Sequence, residues 1–97
     1  MPLFVTLVKF TQKGAEQLKG GPGRLEEAKK RAKERGGEIK AFYLTMGQYD
    51  AVLISELPSD EEAAIGVLGA ASMGFIRTET MRAFSEAEWK KMVAALP

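Results

Sequence analysis

A chain of 97 residues with 14 Lys and Arg against 13 Asp and Glu is one domain's worth of polymer with almost no net charge. A formal charge of +1 argues against an electrostatic nucleic-acid binder, which needs a concentrated basic surface. The absence of Cys and His removes disulfides, thiol nucleophiles, the commonest metal ligand and the usual general base near neutral pH.

Residues 1–97 read as one domain. The segment "MPLFVTLVKF" lacks the basic lead and long apolar stretch of a signal peptide. No run reaches the roughly 18 apolar residues of a membrane span. A cytoplasmic protein is the expectation.

Residues 3–10, "LFVTLVKF", read as a strand, with Leu3, Val5 and Leu7 on one face and Phe4, Val8 and Phe10 on the other. A strand apolar on both faces is covered on both. Residues 11–21 read as a short helical turn and loop stopped by Gly20-Gly21. Pro22 then opens a helix that puts Leu25, Ala28 and Ala32 on one face and ends at a left-handed Gly36 or Gly37. Its cations sit four residues after Glu26 and Glu27, so helix-surface pairs Glu26–Lys30 and Glu27–Arg31 compete with an anion site as their explanation. "GGPG" before this helix lacks the Lys-Ser/Thr of a phosphate loop and reads as a loop.

Residues 38–46 and 49–57 read as two further strands, the second ended by Pro58. "SDEEAAIGVLGAASMG" is then a helix with Ser59 and Glu62 as a capping box, and Gly74 as its stop. Capping also explains the crowded carboxylates Asp60, Glu61 and Glu62, which have no calcium-loop spacing; neither a metal nor a cofactor is expected. Gly66 and Gly69 share a helix face, and their cost in helix propensity suggests a packing reason. Residues 75–84 form a fourth strand, and Ser85 with Glu88 caps a last helix carrying Trp89, Met92, Val93 and Leu96 at helical spacing.

The order β-α-β-β-α-β plus a terminal helix predicts an α+β fold, a ferredoxin-like sandwich. Right-handed crossovers place the first and third strands side by side in the centre, expected parallel, with the second and fourth at the edges. Both helices cover one face. The other face is apolar and bare in a lone chain, which predicts a homodimer packed sheet to sheet as a dimeric α/β barrel, with the last helix touching the partner and higher assembly open.

"TMGQYDAVLI" (45–54) joins the second and third strands. A two-residue Gly47-Gln48 loop fits a type II′ turn and makes Met46 face Tyr49 and Thr45 face Asp50. Phe42, Leu44, Met46, Tyr49, Ala51 and Leu53 then share a core-like face; Tyr43, Thr45, Asp50, Val52 and Ile54 share the other. Turn chemistry alone explains these residue types: Gly47 for positive φ, Asp50 accepting from Thr45 or a backbone amide, Tyr49 with a packed ring and a wet hydroxyl.

G-x-Y-D after "FYLTM", "RTETMRAFSEAE" in the last strand and helix, and "RLEEAKKRAKERGGEIKAFYLTMGQYDAVLI" together resemble the GYD domain family. The resemblance spans nearly the whole chain and includes Gly47, Tyr49 and Asp50. It implies a ferredoxin-like protomer in a dimer and no established biochemical function. The hairpin also resembles that of Lrp/AsnC-type effector-binding domains, which implies amino-acid binding at a dimer edge; the DNA-binding helices are missing.

Three functions follow as expectations. The leading one is a homodimeric small-molecule-binding or regulatory module, with Tyr43, Thr45, Gly47, Tyr49 and Asp50 joined by Arg77, Glu79 and Thr80 of the fourth strand. The competing reading of Arg77 and Glu79 is a same-face ion pair guarding an edge strand. The second is a cofactor-independent monooxygenase or isomerase with Asp50 or Glu79 as a desolvated base. The third is an interaction protein using Trp89 and Met92. None involves nucleic acid or membrane.

Overall fold

The computed structural model describes residues 1–97. Four strands form a single sheet in the order β2-β3-β1-β4. They are β1 (Leu3–Phe10), β2 (Glu38–Leu44), β3 (Ala51–Glu56) and β4 (Ile76–Ala83). Helices α1 (Gln12–Glu16), α2 (Gly21–Glu34), α3 (Asp60–Met73) and α4 (Glu86–Ala94) complete the chain, with a 3₁₀ turn at Leu18–Gly20. This is a mixed α+β fold of ferredoxin-like order. The glycine pair does not stop a helix as expected; Gly21 is the first residue of α2, with Pro22 in its first turn.

The central pair differs from expectation. β1 and β3 are neighbours, but antiparallel, with Val5 opposite Ile54 and Val8 opposite Ala51. Each crossover skips one position: β3 fills the one between β1 and β2, and β1 already occupies the one between β3 and β4, each antiparallel to its neighbours. β1 and β2 therefore run parallel with β3 between them, and β3 and β4 run parallel with β1 between them.

Register assigns the two faces. One carries Phe4, Thr6, Val8, Leu53, Ser55 and Thr80 and lies beneath α2 and α3; Phe4, Val8, Ala51 and Ser55 are buried there. The other carries Leu3, Val5, Leu7, Val52, Ile54 and Met81, and no helix covers it. Only 7 of 97 residues are buried, which is little for a domain this long, so much apolar surface is left without a partner.

The helix termini follow the sequence. Ser85 and Glu88 form a complete capping box, and the bonds from Ser85 hold the Glu88 carboxyl below its usual range. At α3 only half of the box forms. Ser59 accepts the Glu62 N–H, while the Glu62 carboxylate turns to Arg35 at 2.6 and 3.1 Å. Gly36 and Gly74 take the left-handed caps, with φ of 86° and 78°. On α2, Lys29 pairs with Glu26 at 3.3 Å in place of the expected Glu26–Lys30 and Glu27–Arg31 pairs.

α2 and α3 run antiparallel and are tied at both ends. At one end is the Arg35–Glu62 pair. At the other, Arg24 of α2 meets the Phe75 ring just beyond α3, and α1 supplies the hydrogen bonds: its cap Thr11 donates through the hydroxyl to the Gly74 carbonyl at 2.6 Å, and its Lys13 ammonium to the Met73 carbonyl at 3.0 Å. Lys13 and Arg24 also lie 4.4 and 4.0 Å from the centre of the Phe75 ring, within cation–π range.

α4 stands apart. None of its residues is buried, and Trp89 is 58% exposed. The molecule measures 52 × 32 × 18 Å with a radius of gyration of 14.7 Å, against about 13 Å for a compact chain of this length.

Candidate functional site

The hairpin 45–50 closes differently from a two-residue turn. β2 ends at Leu44 and β3 starts at Ala51. The innermost backbone bond runs from the Thr45 N–H to the Asp50 carbonyl at 2.9 Å, so 46–49 is a four-residue loop. Gly47 has φ of 119° and supplies the expected left-handed position. The Thr45 hydroxyl donates to the Tyr49 carbonyl at 2.7 Å and holds the loop in place of a tight turn.

Opening the loop frees Tyr49 from strand alternation. It does not join Phe42, Leu44 and Leu53 beneath the helices. It reaches across β1 on the bare face, and its hydroxyl donates to Glu79 Oε2 at 2.9 Å. That bond first, and partial burial second, hold the phenol above its ordinary pKa. Lys9 lies 5.4 Å from the centre of the same ring, and Arg77 stands opposite Lys9 in the ladder.

Asp50 has a backbone task. Its N–H donates to the Val8 carbonyl, and its Oδ2 accepts the Phe10 N–H, both at 2.8 Å. The β1–β3 ladder stops at Val8, so the carboxylate serves the next β1 amide where a strand carbonyl would have done so. A charged acceptor on a backbone amide is among the stronger protein hydrogen bonds.

The other expected site residues divide. Arg77 and Glu79 share the bare face with Lys9 and Tyr49, but Arg77 and Glu79 form no ion pair; Glu79 is given to Tyr49. Thr80 sits on the opposite side, beneath the helices, hydrogen-bonded to the Thr6 hydroxyl at 3.0 Å. Tyr43 is on the bare face and 61% exposed. It occupies one row with Val52, Leu7 and Glu79. Three strand spacings, about 14 Å, separate it from Glu79 within one chain. From the Tyr49–Glu79 pair an open groove of about 650 Å³ runs past Leu7, Lys9 and Arg77 and around the β4 edge to Thr78, Val67 and Ala71 on the helix side.

Lys9 is the residue of this cluster that sequence reading misses. Its signal is faint: it is the one charge on the Leu3-Val5-Leu7 face, at the end where the hairpin arrives. Two cations, a phenol and a committed carboxylate can hold an anion or a polar edge. Neither carboxylate is a free, desolvated base, because Asp50 is bound to an amide and Glu79 is exposed and bound to Tyr49. No three carboxylates converge as a metal cage would require, and no helix is long and apolar enough to cross a membrane.

Comparison with known proteins agrees with this architecture. A curated relative from Thermus thermophilus, described as a glutamine synthetase and cystathionine beta-lyase binding protein, is 33% identical over 89 residues, covering 91% of this chain and 94% of the relative. Two crystal structures share the fold, each with a TM-score of 0.55. One is a hypothetical protein from Pyrococcus horikoshii at 20% identity, covering 89% of this chain and 93% of that one. The other is a protein from Thermus thermophilus at 24% identity, covering 88% and 95%. The family model of the GYD domain matches residues 4–93, and the chain is a member of the GYD domain family.

Proposed function

We propose that this protein is a homodimeric regulatory binding module, without catalysis of its own, that docks onto metabolic enzymes in the cytoplasm. The observation that carries the reading is the bare apolar face of Leu3, Val5, Leu7, Val52, Ile54 and Met81. A water-exposed patch of this kind marks an interface, and a second copy offers the same patch in matching form, as two-fold pairing requires. Dimerisation through this face brings Tyr43 of one chain towards the Lys9–Tyr49–Glu79 cluster of the other and builds the dimeric α/β barrel. The name of the Thermus relative supports the choice of occupant for the remaining surface: enzymes of the glutamine synthetase and cystathionine beta-lyase types. α4, with Trp89, Met92 and Val93 exposed, is the natural element for that contact, since aromatic and Met side chains dominate binding hot spots.

Sedimentation velocity at micromolar concentration tests the dimer, with a two-chain species expected. Ile54→Glu puts a charge at the centre of the face and leaves a folded monomer. A monomeric wild type ends the reading. Titration calorimetry against the two enzymes tests the partner, and a loss of binding in Trp89→Ala locates it on α4. A second reading has a specific observation behind it: the groove beside Lys9, Arg77 and Tyr49 suits a small anion such as an amino-acid carboxylate. Thermal stabilisation by amino acids that disappears in Lys9→Gln distinguishes it.

A further inference from the structure

Between the ties that join α2 and α3 at their two ends, the space above the sheet is open. A crevice of about 350 Å³ runs there, with Val8 and Leu53 in its floor. One lip is Ala28 and Ala32 of α2; the other is Gly66 and Gly69 of α3. In the floor the Thr6 and Thr80 hydroxyls bond to one another, while Ser55 and Thr78 also line the crevice.

The first observation is the pair of glycines. Glycine is the poorest helix former after proline and is kept in a helix where something comes close. Here a Cβ at Gly66 or Gly69 would meet no atom of the chain within 4 Å. The close neighbour that the two glycines admit is therefore not part of this protomer as it stands.

The second observation is Arg31 at the mouth. Arg35 beside it is satisfied by Glu62. Arg31 pairs with no carboxylate, and its only hydrogen-bond partner is the Met73 sulfur at 3.9 Å. A guanidinium so placed offers a forked pair of donors to an incoming carboxylate.

We propose that the crevice binds an amphiphilic monocarboxylate, with its aliphatic chain between α2 and α3 and its carboxylate on Arg31. The volume sets the length: at about 30 Å³ per water-sized group, the space holds a chain of about ten carbons with its head at the rim. A single helix as occupant fits less well. An α-helix is about 10 Å across with its side chains. The crevice lies on the helix side of the sheet, opposite the face proposed for the dimer, so either idea survives the failure of the other.

Titration calorimetry of the full chain with decanoate, decanol and acetate is the test. Decanoate binds one molecule per chain, decanol binds at least about tenfold more weakly for want of the charge-assisted bond, and acetate does not bind. Arg31→Gln lowers decanoate to the level of decanol and leaves decanol unchanged. Gly69→Leu fills the crevice and abolishes both, with circular dichroism and thermal midpoint showing that the fold is intact. Decanoate uptake that persists in Gly69→Leu overturns the proposal, since it places the fatty chain on the bare sheet face. No saturable binding to wild type overturns it as well. So does a Gly69→Leu variant that changes sedimentation and not ligand uptake, which would assign the crevice to a helix of a second copy.

Discussion

The hairpin end of the sheet and the gap between the helices follow opposite rules. At the hairpin the polar groups beside the end of the ladder find partners within the chain: Thr45 in Tyr49 and Asp50, the Phe10 amide in Asp50, Tyr49 in Glu79. Under the helices apolar surface is left unanswered, with small residues facing space. The G-x-Y-D motif, for which turn chemistry and a ligand site compete in the sequence, thus has a structural account for its aspartate. The helix that reads as ordinary core lines the emptier region. A motif dense in polar residues can be complete in itself, and a bland apolar run can hold the vacancy.

The largest effect that would sharpen this contrast is Asp50→Ala. It strips the Phe10 N–H of its acceptor and costs about 2 kcal/mol, a fall in thermal midpoint of roughly 10 °C for a chain of this size. Calorimetry checks it, and a variant as stable as wild type would return Asp50 to the ligand reading. Gly69→Ala comes next and carries the opposite sign. With open space at its Cβ, alanine stabilises by about 1 kcal/mol through helix propensity, seen as a shifted urea midpoint with unchanged slope. A loss of stability would mean the position is crowded in solution. The smallest effect is electrostatic. The Tyr49 phenol is raised by Glu79, so the protonated form is favoured in the folded chain. Its contribution is fully present below the ordinary tyrosine value of about 10 and is lost as pH rises through the folded value. Stability at neutral pH is therefore untouched. In a Tyr43→Phe background, phenolate absorbance should titrate higher in the folded chain than in denaturant, and Glu79→Gln should close the difference.

Much of the fold is legible in the sequence because its signals are local. Apolar runs, caps at Ser59 and Ser85, and glycine stops at Gly36 and Gly74 mark the elements without reference to anything distant. The direction of β3 against β1 is not legible in this way, because handedness fixes which side a crossover takes, while the position it skips decides who becomes its neighbour. Tyr49 goes to the wrong face for a related reason: alternation holds only while the ladder holds, and the ladder ends at Ala51. The Tyr49–Glu79 bond joins residues thirty positions apart across an intervening strand, and nothing in either segment announces the other. The crevice is illegible for a different cause. Small residues at 66 and 69 show that room exists, and only packing shows that the chain leaves it unfilled.

The two ends of the helical layer are held by contacts that break under different conditions. Ionic strength weakens the exposed Arg35–Glu62 pair, because salt screens charges at the surface. It has far less hold on hydrogen bonds to the carbonyls of Met73 and Gly74, or on a ring clasped between two cations. Raised salt should therefore quicken amide exchange in the C-terminal turns of α2 and the first turn of α3 and leave the Phe75 end slow. The helical layer would swing as a door does, hung on one side and latched on the other.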